Sequence, residues 1–484
     1  MERSAWCSLA VITALVVSAS AADEALPAGY AVVVSKATAA DATWKVVVEA
    51  LVKKHEADVV QYDAAVGEAL PALKRLFPRY VCVVATPAET TRKLVGEVHR
   101  LLRALDDDPY ADAIWGILTG YDAQCALRIA RHSEPLVVRR VASGTEVALE
   151  MCEEGVWYCE LVKKRVVRKR QGGEPVEEKG PDDTTKALVD ALNDYRAQLF
   201  ITSGHATERD WQIGYRYRNG QFRSAAGKLF GLDTQGRRHP IDAPEPKVYL
   251  PVGNCLMGHI DGPDAMALAW MNSAGVNQMI GYTQPTWYGY AGWGCLDYFL
   301  EQPGRFTLAE AFYVNHQALI HRLETYFPDL IGRRGGAPPG RGGAPGISPQ
   351  ARAAGLSVHD ARGLLFDRDV VAFYGDPAWE ARMAPGPVAW EQRLEEEDGV
   401  YRFEITPKRG DKTFRPINTN GSQRGGRPIV QLLPHRVEAV EVLEGQDLSP
   451  RVTDNFLLVP NPGQCDPERS YRVVFRARAV DSAR

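Results

Sequence analysis

The sequence predicts an α/β fold followed by an all-β unit. Three observations carry this. Apolar runs of strand length alternate with helix-length segments through residues 30–131. A second alternation of the same kind begins near Ala197. Helical spacing then disappears after Pro377, where short apolar stretches stand between turn residues. Continuous apolar strands separated by helices indicate a parallel sheet covered on both faces. Short strands without helices indicate a β-sandwich.

In the first set, strands are predicted at residues 30–34, 57–62, 80–85 and 113–118. Helices are predicted between and after them, at residues 44–54, 66–76, 89–105 and 123–131. The second set has strands at 198–202, 247–252 and 276–282, and helices at 263–271 and 306–323. Pro263 suits a first helical turn, where its missing N–H costs nothing. Residues 134–195 carry a weaker pattern. Their basic stretch 163–170 and acidic stretch 174–183 read as a solvated hairpin and loop, because opposite charges lie close together. The Gly/Pro/Arg-rich residues 332–346 form a loop that buries no core. The resulting division is an N-terminal α/β subdomain at 23–131, a second α/β subdomain at 132–384 and a sandwich at 385–484.

The chain has 484 residues, 45% of them hydrophobic and 24% charged, with a net charge of −4. That is the balance of a globular protein of two or three packing units. So small a net charge gives no reason to expect a nucleic-acid partner. Residues 1–22 read as an export signal. Arg3 supplies the charge, Trp6 to Val17 the apolar stretch, and Ala19-Ser20-Ala21 the cleavage site. The apolar stretch is shorter than the roughly 20 residues a membrane span needs. The expectation is a secreted, periplasmic or cell-surface protein with no stable membrane insertion after cleavage.

Signal removal takes away Cys7 and leaves Cys82, Cys125, Cys152, Cys159, Cys255, Cys295 and Cys465. An odd set in an exported chain draws attention to a reactive thiol. Cys152 and Cys159 are also placed for a hairpin disulfide.

Two predicted strands end in residues that carry chemistry. One runs into Ser203-Gly204-His205-Ala206 and the other into Gly253-Asn254-Cys255-Leu256. In parallel sheets, ligands bind beyond the carboxyl ends of the strands. If the strands are neighbours, His205 and Cys255 share one crevice. An imidazole beside a thiol keeps the sulfur as thiolate, its nucleophilic form. The backbone N–H groups of Ala206 and Cys255 would then form an oxyanion hole. A zinc set of Cys255, His259, His239 and His205 is the competing reading, but it lacks the spacing of a usual zinc framework.

Residues 199–205 and 250–255 resemble the two motif blocks of the gingipain family of cysteine peptidases. Residues 108–116 resemble the segment that carries the acid orienting the histidine, which matches Asp112. Residues 281–287 resemble the segment whose tryptophan walls the specificity pocket, which matches Trp287. Residues 373–377 resemble the Gly-Asp-Pro strand that closes the catalytic domain. The resemblance covers residues 30–385. It implies a caspase-like fold, with parallel sheets and flanking helices in two subdomains, before an immunoglobulin-like sandwich. It implies a secreted cysteine endopeptidase acting on protein or peptide substrates, with Cys255, His205 and Asp112 as catalytic residues. Gly204, Asn254, Thr283 and Trp287 would contact substrate. Asp261 and Asp264 are candidates for selecting a basic residue, or merely open a helix. No catalytic cofactor or catalytic metal is implied, and structural calcium is compatible with the family.

Ala206 departs from the family, which has glycine after the histidine, so this backbone must avoid φ > 0. A long pro-domain has no counterpart between Ala22 and Tyr30. The alternative function is a catalytically inactive scaffold of the same fold that serves as an extracellular binding module.

Overall fold

The computed structural model describes residues 29–335, 346–466 and 468–480. The export signal and most of the loop at 332–346 lie outside the described residues. Twelve strands form one central sheet. In chain order they are β1 (Tyr30–Ser35), β2 (Asp58–Tyr62), β3 (Tyr80–Val84), β4 (Ile114–Leu118), β5 (Arg140–Ser143) and β6 (Glu154–Tyr158). They continue as β7 (Arg165–Lys169), β8 (Val176–Lys179), β9 (Leu199–Thr202), β10 (Lys247–Pro251), β11 (Val276–Tyr282) and β12 (Val371–Tyr374). Their order across the sheet is β2-β1-β3-β4-β12-β11-β10-β9-β5-β6-β7-β8.

The continuous apolar runs become the middle of this sheet. Every residue of β1, β4, β9, β10, β11 and β12 is buried. Helices cover the faces, among them α1 (Ala42–His55), α2 (Arg92–Leu102), α3 (Ala123–Arg131), α4 (Met266–Ser273), α5 (Tyr290–Phe299) and α6 (Leu308–Tyr326). Thr307 and Glu310 close a capping box at the start of α6, satisfying N–H groups the first turn leaves unpaired.

The sheet contains two parallel blocks that run in opposite directions. Strands β2, β1, β3, β4 and β12 form one block. Strands β11, β10, β9, β5 and β6 form the other. They meet at the antiparallel pair β11–β12. The carboxyl ends of β9, β10 and β11 therefore emerge on the edge where β4 begins.

The basic stretch lies in β7 and the acidic one in β8. Arg165 pairs with Glu177 at 2.9 Å and Arg168 with Glu178 at 3.3 Å, so the charges serve a hairpin. Two features are additional to the sequence reading. A four-stranded antiparallel sheet spans Asp210–Gln212 to Arg238–Pro240, and Leu136–Val138 pairs with Ala381–Met383. The hairpin disulfide does not form. Cys152 and Cys159 are both free. Seven residues of largely extended chain hold them on the order of 20 Å apart, beyond the ~7 Å limit for a bridge.

The C-terminal unit has the expected sandwich architecture. Its strands are β13 (Trp390–Glu397), β14 (Val400–Pro407), β15 (Ile429–Leu432), β16 (Val437–Glu444), β17 (Arg451–Val452), β18 (Phe456–Val459) and β19 (Tyr471–Ala479). They make a sheet β13-β14-β19-β16 and a sheet β15-β18-β17. Tyr401, Phe403 and Phe475 from the first pack with Ile429, Leu457 and Val459 from the second.

A buried charge cluster ties α1 to the strand that closes the central sheet. Asp376, just past β12, accepts from Tyr30 Oη at 2.9 Å, Lys54 Nζ at 2.9 Å and His55 Nε2 at 2.7 Å. Burial alone would raise its carboxyl, but the His55 and Lys54 contacts outweigh that and hold it at about 2. Because the folded value is depressed, its stabilisation is complete above the unfolded value near 4 and fades as pH falls towards 2. Asp376→Asn should cost on the order of 3–5 kcal/mol at pH 7, because Lys54 loses its counter-charge. Denaturant melts should show that deficit shrinking below pH 4, and a deficit independent of pH would contradict this account.

Candidate active site

Strands β9 and β10 are hydrogen-bonded parallel neighbours, with Thr202 opposite Pro251. His205 and Cys255 thus leave adjacent carboxyl ends by adjoining loops. Gly253 lies so close to the other loop that a Cβ there would stand 3.3 Å from Ser203 Cβ.

The first loop turns at Gly204, whose φ of +88° suits glycine. Residues 205–212 then form a tight hairpin. The Gln212 N–H donates to the His205 carbonyl at 2.9 Å, and the Thr207 N–H to the Asp210 carbonyl at 2.8 Å. Ala206 sits opposite Trp211 without a positive φ, so the backbone accommodates alanine as required. Trp211 anchors the hairpin by donating Nε1–H to the Ser203 carbonyl at 2.8 Å. The His205 ring is exposed and packs 4.8 Å from the Tyr215 ring.

The second loop is fixed by Asn254. Its side chain is fully buried, accepts from Thr202 Oγ1 at 2.6 Å and donates to the Gly204 carbonyl at 3.0 Å. Asn254 therefore bridges the two loops, and its amide is occupied. Cys255 is half-exposed, whereas the other free cysteines among the described residues are buried. Its Sγ accepts the Thr286 N–H at 3.3 Å, and Thr286 Oγ1 donates to the Asn254 carbonyl at 2.8 Å. Leu256 follows at φ +57°, a left-handed conformation unfavourable for a leucine. Among the described residues, neither the Ala206 N–H nor the Cys255 N–H has a protein acceptor.

The loop after β11 thus lies against the sulfur, although not through every residue expected. Thr283 is buried, and both its N–H and its hydroxyl donate to the Val370 carbonyl. Trp287 is half-buried between His359, with ring centroids 4.9 Å apart, and Phe366 at 6.1 Å. Asp261 pairs with Arg209 at 2.8 Å, and Asp264 accepts the Ala226 N–H at 2.6 Å, so both carboxylates have partners. The histidines of the zinc reading also have other partners. His239 contacts Asp233 at 3.0 Å, and His259 contacts Arg92 at 2.8 Å.

Asp112 is not brought to His205. It precedes β4 on the correct edge of the sheet, but four strand spacings of ~4.8 Å separate β4 from β9. Its Oδ2 accepts the Leu105 N–H at 3.2 Å, and its carbonyl accepts from Arg436 and Asn455 of the sandwich. Burial, reinforced by the charge of Asp106, pushes its carboxyl up to about 9. Oxygens of Asp106, Asp108 and Asp112 lie within 4.8 Å of one another. Three carboxylates supply only part of the six to eight oxygens calcium takes, and backbone carbonyls or water would have to complete such a shell. Each carboxylate already accepts a backbone N–H.

Glu160 was not anticipated. It lies just past β6, on the same edge, and its carbonyl accepts the N–H of Tyr215 at 2.6 Å, linking it to the residue beside His205. Its Oε1 accepts from Thr145 Oγ1 at 2.5 Å and Asn420 Nδ2 at 3.1 Å. Its Oε2 is buried and has no partner among the described residues. The available signal was an acidic residue directly after an apolar strand.

No family model matches the chain, and no curated protein does. Among solved structures it is similar to the Arg-specific cysteine proteinase gingipain R (RgpB), at 11% identity over 94% of this chain and 98% of that one, with a TM-score of 0.44. It is also similar to the complex of the Porphyromonas gingivalis RgpB pro- and mature domains, at 10% identity over 94% of each chain and a TM-score of 0.45. A structure described simply as a protease matches at 9% identity over 93% of this chain and 97% of that one, with a TM-score of 0.39.

Asp112 yields a test of its separation from His205 and Cys255. Its raised value means the folded state keeps a proton that the unfolded chain releases above pH ~4. Stability should therefore fall as pH rises from about 4 towards 9, by up to about 1.4 kcal/mol per pH unit. Asp112→Asn should flatten that slope and raise the melting temperature at pH 8 more than at pH 5. Alkylation of Cys255 by iodoacetamide should keep its wild-type rate, and a slower rate would couple Asp112 to Cys255.

Proposed function

We propose that this chain is an exported cysteine peptidase with a Cys255–His205 dyad. The supporting observation is that a half-exposed thiol and an exposed imidazole leave adjacent ends of two paired parallel strands. Cys255 Sγ attacks the peptide carbonyl and forms a C–S bond. The negative oxygen that results is held by the N–H groups of Ala206 and Cys255, which have no competing acceptor among the described residues. His205 passes a proton to the leaving amine as the C–N bond breaks. Water, deprotonated by His205, then releases the acid and restores the thiol.

The Thr286 N–H supports the thiolate through its contact with Sγ. Gly204 gives the substrate backbone room, and Trp287 gives the pocket an indole wall. Asp112 has no part in orienting the imidazole, which rests instead against Tyr215. The substrates are peptides and proteins, with a cationic residue at P1, the position whose carbonyl is attacked. A buried carboxylate oxygen without a donor is costly, and a guanidinium or ammonium group relieves it. Export accords with the N-terminal signal, and no described helix is long and apolar enough to cross a membrane.

The test is hydrolysis of paired fluorogenic peptides with arginine or alanine at P1. Cys255→Ala should lower kcat/KM by on the order of 10⁶, as loss of a nucleophile does in a comparable catalytic unit. Glu160→Gln should cost the arginine peptide at least about thirtyfold, the low end for losing a buried charge partner, and leave the alanine peptide unchanged. Turnover of a peptide library that survives Cys255→Ala would overturn the dyad, and absence of turnover by the wild type would favour the binding-module alternative.

A further inference from the structure

Of the 21 residues between β14 and β15, numbers 408–428, Phe414 stays in the sandwich core, whereas residues 420–427 reach onto the α/β unit. Three consecutive residues of this segment touch three separate parts of the site. Asn420 Nδ2 donates to Glu160 Oε1 at 3.1 Å and lies 3.4 Å from Thr145 Oγ1. Gly421 lies on the Trp293 indole, where a Cβ would stand 2.7 Å from the ring. Trp293 also abuts Gly253, two residues before Cys255, where a Cβ would lie 3.1 Å from the indole Nε1. Ser422 Oγ donates to the Tyr288 carbonyl at 2.6 Å, in the loop that carries Thr286 and Trp287. Gly421 and Ser422 are exposed while Trp293 beneath them is buried, so the segment is a rim and not core.

The rim is firmly anchored. Arg424 Nε donates to Asp297 Oδ1 at 2.6 Å, and its guanidinium also pairs with Glu301. Arg427 Nε donates to Asp297 Oδ2 at 2.9 Å and lies 3.7 Å over the Tyr290 ring. The side chains of Arg424 and Arg427 are only 2% and 4% exposed. Breaking a buried charge pair is costly, so a segment held this way does not swing out to admit substrate.

We infer that residues 420–422 of the C-terminal unit are a fixed wall of the substrate cleft, and that Asn420 is a specificity-determining residue that sets the orientation of Glu160. This rests on the peptidase reading above. The chemistry follows from which oxygens are occupied. Thr145 and Asn420 both donate to Oε1, which fixes the carboxylate plane and leaves Oε2 as the acceptor for a cationic P1 side chain. Removing the amide lets the carboxylate rotate, and binding of the cation weakens while the chemistry at Cys255 does not change.

The experiment uses the full chain carrying Asn420→Leu, assayed with the arginine and alanine P1 peptides and with iodoacetamide. The expected result is a KM for the arginine peptide raised at least tenfold, with kcat within twofold. The KM for the alanine peptide and the rate of Cys255 alkylation should stay within twofold of wild type. Asn420→Gln, which keeps an amide donor, should recover part of the loss, and Thr419→Ala, an exposed neighbour, should match wild type. If Asn420→Leu melts early, Asn420→Ala is read in the same way. An unchanged KM for both peptides in a folded variant overturns the inference, as does an equal rise for both. Failure of the peptidase reading is distinguishable, because the wild type would then show no Cys255-dependent turnover of either peptide.

Discussion

The site depends on one buried amide. Asn254 connects the Thr202 hydroxyl at the end of β9 to the Gly204 carbonyl, while its own backbone leads into Cys255. Thr202 Oγ1 is also bonded to the Tyr249 hydroxyl at 2.8 Å, so the bridge continues into the core below. A polar network inside an apolar sheet is tolerated only when its groups are satisfied, and one that is satisfied is rigid. The loops that carry Cys255 and His205 are therefore held by a single hydrogen-bonded unit. Loop packing alone would fix their separation less well.

A second constraint is steric. The segment after Cys255 passes over β11 at a crossing of two glycines, where a Cβ on Gly281 would lie 2.6 Å from Gly258 Cα. The Gly258 N–H donates to the Tyr282 carbonyl at 2.9 Å, and Tyr374 on β12 donates to the Gly258 carbonyl at 2.6 Å. The cysteine loop is thus pinned at the seam where the two parallel blocks meet. The strain at Leu256 is sustained by this close fit on either side.

The strands that lead to His205 and Cys255 were legible because they are buried on both faces. A run such as residues 198–202 has no polar alternation to obscure it, and the structure begins β9 one residue later, at Leu199. Residues 247–252 and 276–282 were equally clear, and so were the positions of Cys255 and His205 at strand ends. The small antiparallel sheet starting at Asp210 was missed because its short strands alternate polar and apolar residues like exposed loop. Asp112 was misjudged for a different reason. Its local motif puts it at a strand start on the right edge, but only the lateral order of strands reveals how far it stands from His205. Glu160 offered only an acidic residue after an apolar strand, because its partner Asn420 lies 260 positions away.

The order of the chain adds a temporal dimension to the rim. Cys255, His205 and Glu160 are all synthesised well before Asn420, Gly421 and Ser422, which contact Glu160, Trp293 and the Tyr288 carbonyl. On the proposal above, a nascent chain that has passed Cys255 but not yet Ser422 has the thiol without that wall. Truncation between those points gives the same unfinished molecule. On that proposal, the wall is added only after the chain has been made beyond β14, so synthesis of the α/β unit alone leaves the cleft one side short.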